Sequence, residues 1–317
     1  MPLRLPNFMV SFLCLFALAS AVLVRATAIS VKRQAIAPLS STQIGVFAPF
    51  THLASAAYCD PSTTRTWTCG ANCQAVPDFQ PVAAGGDGSD TQFWYVGSSN
   101  SLNTVIVAHQ GTNPHQLLAL LTDADFFLKQ LDTSLFPGIP SSVEAHSGFV
   151  DEQAKTASEI LFHVQNTLST QGLSSVTVVG HSLGGALALL DGVYLSLQLP
   201  KTVAVKVISY GMPRVGNQAF ANFVDSQLSG VVTHINNEED PIPIVPGRTL
   251  GFHHPSGEIH IQDSGVWDAC PGAFLLTLSL THTFSLPALF LWFGRSGSDI
   301  VQNFSGQDNP SQLWHRR

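Results

Sequence analysis

Val178-Val179-Gly180-His181-Ser182-Leu183-Gly184-Gly185-Ala186-Leu187 is the stretch on which the reading of this chain turns. It sets G-x-S-x-G between a β-branched run, Val176 to Val179, and an apolar run, Leu183 to Leu197, that stops before Pro200. A serine lifted out of a sheet on a tight strand-to-helix turn needs this spacing. Side chains at Gly180 or Gly184 would clash with the turn or with the helix that follows. The N–H groups at the helix start, Leu183's among them, then point to where charge develops on a bound carbonyl oxygen. Ser182 is expected to be a nucleophile and Leu183 an oxyanion donor.

Outward from that turn, strands alternate with helices. Gln92 to Val96 and Thr104 to Ala108 read as strands joined by a turn at Gly97-Ser98-Ser99-Asn100. Residues 34 to 58 read as a helix, because Ile44, Phe47, Phe50, Leu53 and Ala57 recur at helical spacing, and residues 60 to 75 read as loop. Ala154 to Leu168 reads as a helix, and Val203 to Tyr210 and Val231 to Ile235 as strands. The alternation implies an α/β fold with a mostly parallel central sheet and helices on both faces.

The chain has 317 residues, 45% hydrophobic and only 11% charged, with a formal net charge of −7. That suffices for one large domain with a sizeable core. No basic stretch longer than two residues precedes the last three, so nucleic acid is not an expected partner. Arg4 followed by the uncharged run Phe8 to Val24 and by small residues through Ala28 reads as a signal peptide, residues 1–28. Lys32-Arg33 reads as the end of a short pro-segment, residues 29–33. The chain is therefore expected to be secreted. Cys14 leaves with the signal, and Cys59, Cys69, Cys73 and Cys270 allow three pairings in an oxidising compartment. The four-residue spacing of Cys69 and Cys73 suits a local loop disulfide; Cys59 with Cys270 follows by subtraction only.

A serine nucleophile needs a base, and the base an orienting carboxylate, in the chain order Ser, Asp, His. Glu238, Glu239 and Asp240 compete for the acid, and Asp240 is favoured because Pro241-Ile242-Pro243 stiffens its loop. The other oxyanion donor should follow an early strand. Val105 to Ala108 leads into His109-Gln110-Gly111-Thr112, where glycine lets backbone approach substrate and Thr112 can donate. No metal or redox cofactor is called for.

With these segments in view, the chain resembles the fungal class 3 lipases, including their feruloyl esterase branch, from about Gln43 to Gly272. The likeness rests on Gly111-Thr112, His146-Ser147-Gly148-Phe149, the Ser182 turn, Tyr210-Gly211-Met212-Pro213-Arg214-Val215-Gly216-Asn217, Asp240-Pro241-Ile242-Pro243 and His254-Pro255-Ser256-Gly257-Glu258-Ile259-His260. The resemblance implies an α/β-hydrolase domain over residues 34–272, with Ser182 as nucleophile, Asp240 as triad acid, and Thr112 and Leu183 as oxyanion donors. It implies ester hydrolysis at a lipid–water interface, on acylglycerols or alternatively on feruloyl and other aryl esters. It also implies a lid over Asn113 to Asp123, where Leu117, Leu118, Leu120 and Leu121 could face lipid.

The chain departs from this family at the base. The family's histidine lies near the C-terminus before an aromatic and a glycine, and no such segment occurs here. His253, His254 and His260 match a non-catalytic strand region. His282 lies in Ala273 to Phe293, an uncharged stretch of 21 residues. Residues 273–317 are thus an atypical tail with three readings: a translated intron that displaces the family's C-terminus, an insertion that supplies His282 as base, or a membrane anchor. Without a base the domain would be an inactive lipase-like fold. The family also pairs Cys59 and Cys270 with cysteines absent from this chain.

Overall fold

Strands β-branched in sequence form the centre of one twisted sheet in this computed structural model, which describes residues 36–112 and 127–270. In chain order the first elements are β1 (Ala37–Pro38), α1 (Ser41–Gly45), α2 (Ala48–Ala56), α3 (Pro61–Thr64), α4 (Ala71–Ala75), β2 (Phe79–Gly85), β3 (Trp94–Ser99) and β4 (Thr104–His109). There follow β5 (Leu128–Gln130), β6 (Glu144–His146), α5 (Ser147–Gln171), β7 (Ser175–His181), α6 (Leu183–Gln198) and β8 (Ala204–Tyr210). The last are β9 (Gly216–Asn217), α7 (Gln218–Gln227), β10 (Val232–Asn237), β11 (Phe252–His253), β12 (Glu258–Ile261) and β13 (Trp267–Ala269).

Among the described residues the main sheet has nine strands in the order β1-β13-β12-β10-β8-β7-β4-β3-β2, and β11-β9-β6-β5 form a smaller one. Strands β4, β7, β8, β10 and β12 pair with one another in parallel. Antiparallel pairs extend the sheet at both edges. The parallel winding read from the sequence therefore describes the centre of the sheet, and it is this centre that carries the site.

Both faces are covered. Val105, Val107, Val176 and Val178 pack on one side with α5 and α6, and Ile106, Ala108, Val179 and Ile208 on the other with α2. A strand buried on both faces has no polar side to show, hence the unbroken β-branched runs. Helix α6 is buried at every position from Leu183 to Leu195, and its one charged residue in that span, Asp191, is hydrogen-bonded to His109 and Gln153.

Three local expectations are corrected. The single helix over 34–58 divides into β1, α1 and α2. Ser40 closes a capping box with Gln43 and so starts a helix afresh, and Pro49, which has no N–H to give, sits in the first turn of α2. The loop over 60–75 contains two short helices, the first capped by Asp60. The turn placed at Gly97 to Asn100 lies later, because Gly97, Ser98 and Ser99 continue β3 and pair with Ile106, Val105 and Thr104. Small residues are needed there because the Phe79 ring packs over Gly97, with no room for a side chain.

Buried histidines give this fold an acid limit. His234 on β10 stacks on His254 with ring centroids 4.8 Å apart. Burial pushes His234 down to about 4 and His254 to about 3, the latter helped by His234 and Arg214 and opposed by Glu258. The unfolded chain keeps the ordinary value near 6.5. Stability from these groups is thus fully present above about 6.5 and is lost as pH falls towards 4, since only the unfolded chain takes up the protons. Tm should fall across that window, and His254→Gln should flatten the fall by at most about 1.4 kcal/mol per pH unit. A thermal melt series in pH checks this; an unchanged slope in the variant would remove His254 from the account.

Candidate active site

The carboxyl ends of β4, β7, β8 and β10 deliver the site, the place where wound α/β sheets hold ligands. Ser182 leaves β7 with φ 59° and ψ −127°, a conformation that costs a non-glycine residue on the order of 1–3 kcal/mol. Its N–H donates to the Tyr210 carbonyl at 2.8 Å, and its carbonyl accepts from Gly185 N–H at 2.9 Å. The turn is so tight that a Cβ on Gly180 would lie 2.0 Å from the Gly184 carbonyl oxygen, and one on Gly184 would lie 2.3 Å from that of His109. Ser182 is 1% exposed. Its Oγ has no hydrogen-bond partner among the described residues.

Gly111 lies directly against this turn. A Cβ there would sit 2.2 Å from Tyr58 Oη, 2.5 Å from the His181 carbonyl oxygen and 3.2 Å from Ser182 Cβ. Thr112, half-buried, follows Gly111, and Leu183 follows Ser182, so the two expected oxyanion donors flank the serine from β4 and from α6. Gly111→Ala should force the β4 turn away from Ser182. Loss of one oxyanion donor costs roughly 10²–10³ in kcat, and steady-state kinetics on a soluble ester should show that loss with KM little changed. A kcat within about twofold of the parent would separate Gly111 from the site.

Asp240 follows β10 by three residues. Its Oδ1 accepts from Ile242 N–H at 2.9 Å, and its N–H donates to the Asn237 carbonyl at 2.9 Å. Its Oδ2 would be 2.8 Å from a Cβ on Gly211, a point that is also 3.6 Å from His181 Nε2. Asp240 and the Ser182 turn thus converge on Gly211 at the end of β8. Burial raises the Asp240 carboxyl above the ordinary carboxylate value, and Ile242 N–H offsets part of the rise. Of the competing acids, Glu239 is exposed and Glu238, at φ 42°, uses its N–H on the Ile261 carbonyl.

Two residues not singled out in the sequence belong to this centre. Tyr58 Oη lies 2.6 Å from His181 Nδ1 and also bonds the Gly111 backbone. Burial lowers His181 to about 4 and raises Tyr58, so both are neutral near pH 7. A neutral pair of this kind ties the β4 turn to the β7 turn without adding charge beside the serine. Tyr58 and His181 are 123 positions apart, and nothing local in the sequence links them.

The described histidines after Asp240 are held elsewhere. His253 Nδ1 lies 3.0 Å from the Gly251 carbonyl, His254 Nε2 lies 2.8 Å from that of Pro243, and His260 pairs along β12 with Asp268 of β13. His282, the lid over Asn113 to Asp123, residues 1–33 and the tail lie outside the described residues. Cys69 and Cys73 form a disulfide. The Cys59–Cys270 bond reached by subtraction is not formed: Cys59 sits beside the Cys69–Cys73 loop, donating its thiol hydrogen to the Cys69 carbonyl, while Cys270 follows β13. Among the described residues no group of three His, Cys, Asp or Glu side chains could hold a metal ion.

The family profile described as Lipase (class 3) matches residues 106–250, the span from β4 through the acid loop. The secreted mono- and diacylglycerol lipase MDL2 of Malassezia globosa is 35% identical over 189 residues, 59% of this chain and 62% of that protein. The match thus spans about three fifths of the curated relative's length. Lipase II of Rhizopus niveus superimposes with a TM-score of 0.65 at 28% identity, over 74% of this chain and 87% of that one. The structure of a triacylglycerol lipase described as having a serine protease triad at its catalytic centre superimposes with a TM-score of 0.65 at 26% identity, over 75% of this chain and 88% of that one.

Proposed function

We propose, from the premise that the chain belongs to the class 3 lipase family, that it is a secreted carboxylic-ester hydrolase acting on acylglycerols through an acyl-enzyme on Ser182. One observation carries the reading. A buried serine on a strained strand-to-helix turn lies so close to Gly111 that a Cβ there would be 3.2 Å from Ser182 Cβ, and Asp240 lies so close to Gly211 that a Cβ there would be 2.8 Å from its Oδ2.

Ser182 Oγ attacks the ester carbonyl carbon and gives its proton to an imidazole. The carbonyl oxygen becomes an oxyanion held by Thr112 and Leu183. The carbon–oxygen ester bond breaks, the leaving alkoxide takes the proton from the imidazole, and an acyl-serine remains. Water, losing a proton to the same imidazole, then releases the acid. Asp240 orients that imidazole. The base comes from outside the described residues, and His282 is the candidate within this chain. We hold residues 34–272 to be the hydrolase domain, residues 1–33 its leader, and residues 273–317 an atypical tail, whose origin as insertion or translated intron the labelling experiment decides.

Acylglycerols are preferred to feruloyl or other aryl esters because the relatives are named for mono- and diacylglycerols. Exposed Phe127, Ile244 and Leu250 add apolar surface beside the acid loop and the small sheet, which suits a lipid–water interface. The lid leucines would extend it. A second reading, an inactive lipase-like fold, is favoured by the Ser182 hydroxyl having no hydrogen-bond partner among the described residues.

A fluorophosphonate probe on residues 34–317 separates the two. Labelling of Ser182, with fatty-acid release that rises as diacylglycerol passes from monomers to droplets, is the expected result. Labelling with a flat response and faster aryl-ester cleavage would move the substrate to the feruloyl branch. No labelling here, with labelling in a chain lacking 273–305 and extended through the downstream genomic sequence, would make the tail a translated intron. Labelling lost only on His282→Ala would make His282 the base.

A further inference from the structure

We propose that Arg214 and His254 are positioning residues for the Asp240 carboxylate, acting by gripping the backbone carbonyls of the loop that carries it. The proposal rests on the reading of Asp240 as the acid that orients the base.

The loop Asp240-Pro241-Ile242-Pro243-Ile244-Val245-Pro246 contains three prolines and so is short of N–H donors. Its carbonyls must find donors elsewhere. Four successive carbonyls find them in two residues. His254 Nε2 takes that of Pro243 at 2.8 Å. The Arg214 guanidinium takes that of Ile244 and, at 2.8 Å, that of Pro246. The Arg214 backbone N–H takes that of Val245 at 2.9 Å.

Arg214 belongs to the segment after β8 that also sets Gly211 against Asp240 Oδ2. One stretch of chain therefore faces the carboxylate and holds its loop. Asp240 Oδ1 is spent on Ile242 N–H inside the loop, so the direction of Oδ2 is fixed by where the loop sits. Stacking on His234 fixes the His254 ring, and neutral His254 donates from Nε2. A lysine at 214 keeps the charge and has donors enough, but lacks the planar guanidinium that fixes the directions of the two Nη1 hydrogens.

The test uses the full chain labelled with ¹³C at aspartate carboxyls, the Asp240 resonance being assigned by its loss in Asp240→Asn. In the parent, burial holds this carboxyl above the ordinary range. In Arg214→Lys and in His254→Ala, water should reach the loosened loop, and the Asp240 midpoint should fall by about half a unit or more. His254→Gln, which can still donate to Pro243, should restore the parent midpoint. Hydrolysis in Arg214→Lys should lose on the order of tenfold in kcat with KM within about twofold. A parent-like midpoint in both Arg214→Lys and His254→Ala would overturn the proposal, and His254→Ala against His254→Gln decides it should Arg214→Lys not fold. Full hydrolysis by Asp240→Asn would instead refute the reading of Asp240 as the acid, whatever the titration shows.

Discussion

Ester hydrolysis by Ser182→Ala is expected to fall by on the order of 10⁶ in kcat, the loss seen when a serine hydrolase is deprived of its nucleophile. The fold should survive the change. The Ser182 hydroxyl makes no hydrogen bond among the described residues, so its removal leaves no partner stranded. The turn is held instead by main-chain bonds that alanine keeps, from Ser182 N–H to the Tyr210 carbonyl and from Gly185 N–H to the Ser182 carbonyl. The melting temperature should stay within a few degrees of the parent or rise slightly. Rates on emulsified and soluble esters and one thermal melt make the check. Hydrolysis persisting within about tenfold of the parent would place the nucleophile elsewhere.

Asp240→Asn should lose about 10⁴ in kcat, because an amide holds the base in the wrong tautomer while leaving the geometry intact. Little stability is at stake, since Asn can still accept from Ile242 N–H through its carbonyl oxygen. The pH profile adds a sign. The carboxyl is raised by burial, so the acid limb of kcat/KM in the parent should lie above that of an exposed aspartate. A variant retaining more than about a tenth of parental kcat would disqualify Asp240 and return attention to Glu238.

What could be read in the sequence was local. The Ser182 turn is a backbone geometry that demands glycine at fixed offsets, so ten residues were enough to mark it. The central strands were legible because burial on both faces leaves only β-branched residues. Gly97-Ser98-Ser99 misled because composition alone marks turns, while here small residues are required by the Phe79 ring across the strand pair. Edge strand β2 was illegible because Pro81 interrupts its pattern, and its pairing with β3 shifts register between Pro81 and Ala83. Tyr58 and Arg214 act on partners far along the chain, 123 positions away for Tyr58 and 30 or more for Arg214, and no spacing rule reaches that far. His254 stood out only as part of a motif, not as a donor to the loop after Asp240.

Helix α6 carries a consequence for how such an enzyme can change. Every side chain from Leu183 to Leu195 is enclosed. A mutation along the helix that follows Ser182 therefore disturbs the core before it can adjust the site, and most such changes are lost with the fold. Under the proposed function, inheritable variation in substrate choice is thereby displaced to the segments at the carboxyl ends of β4, β8 and β10. Under that reading, substitutions in those segments would change the substrate accepted while Ser182 stays fixed in place.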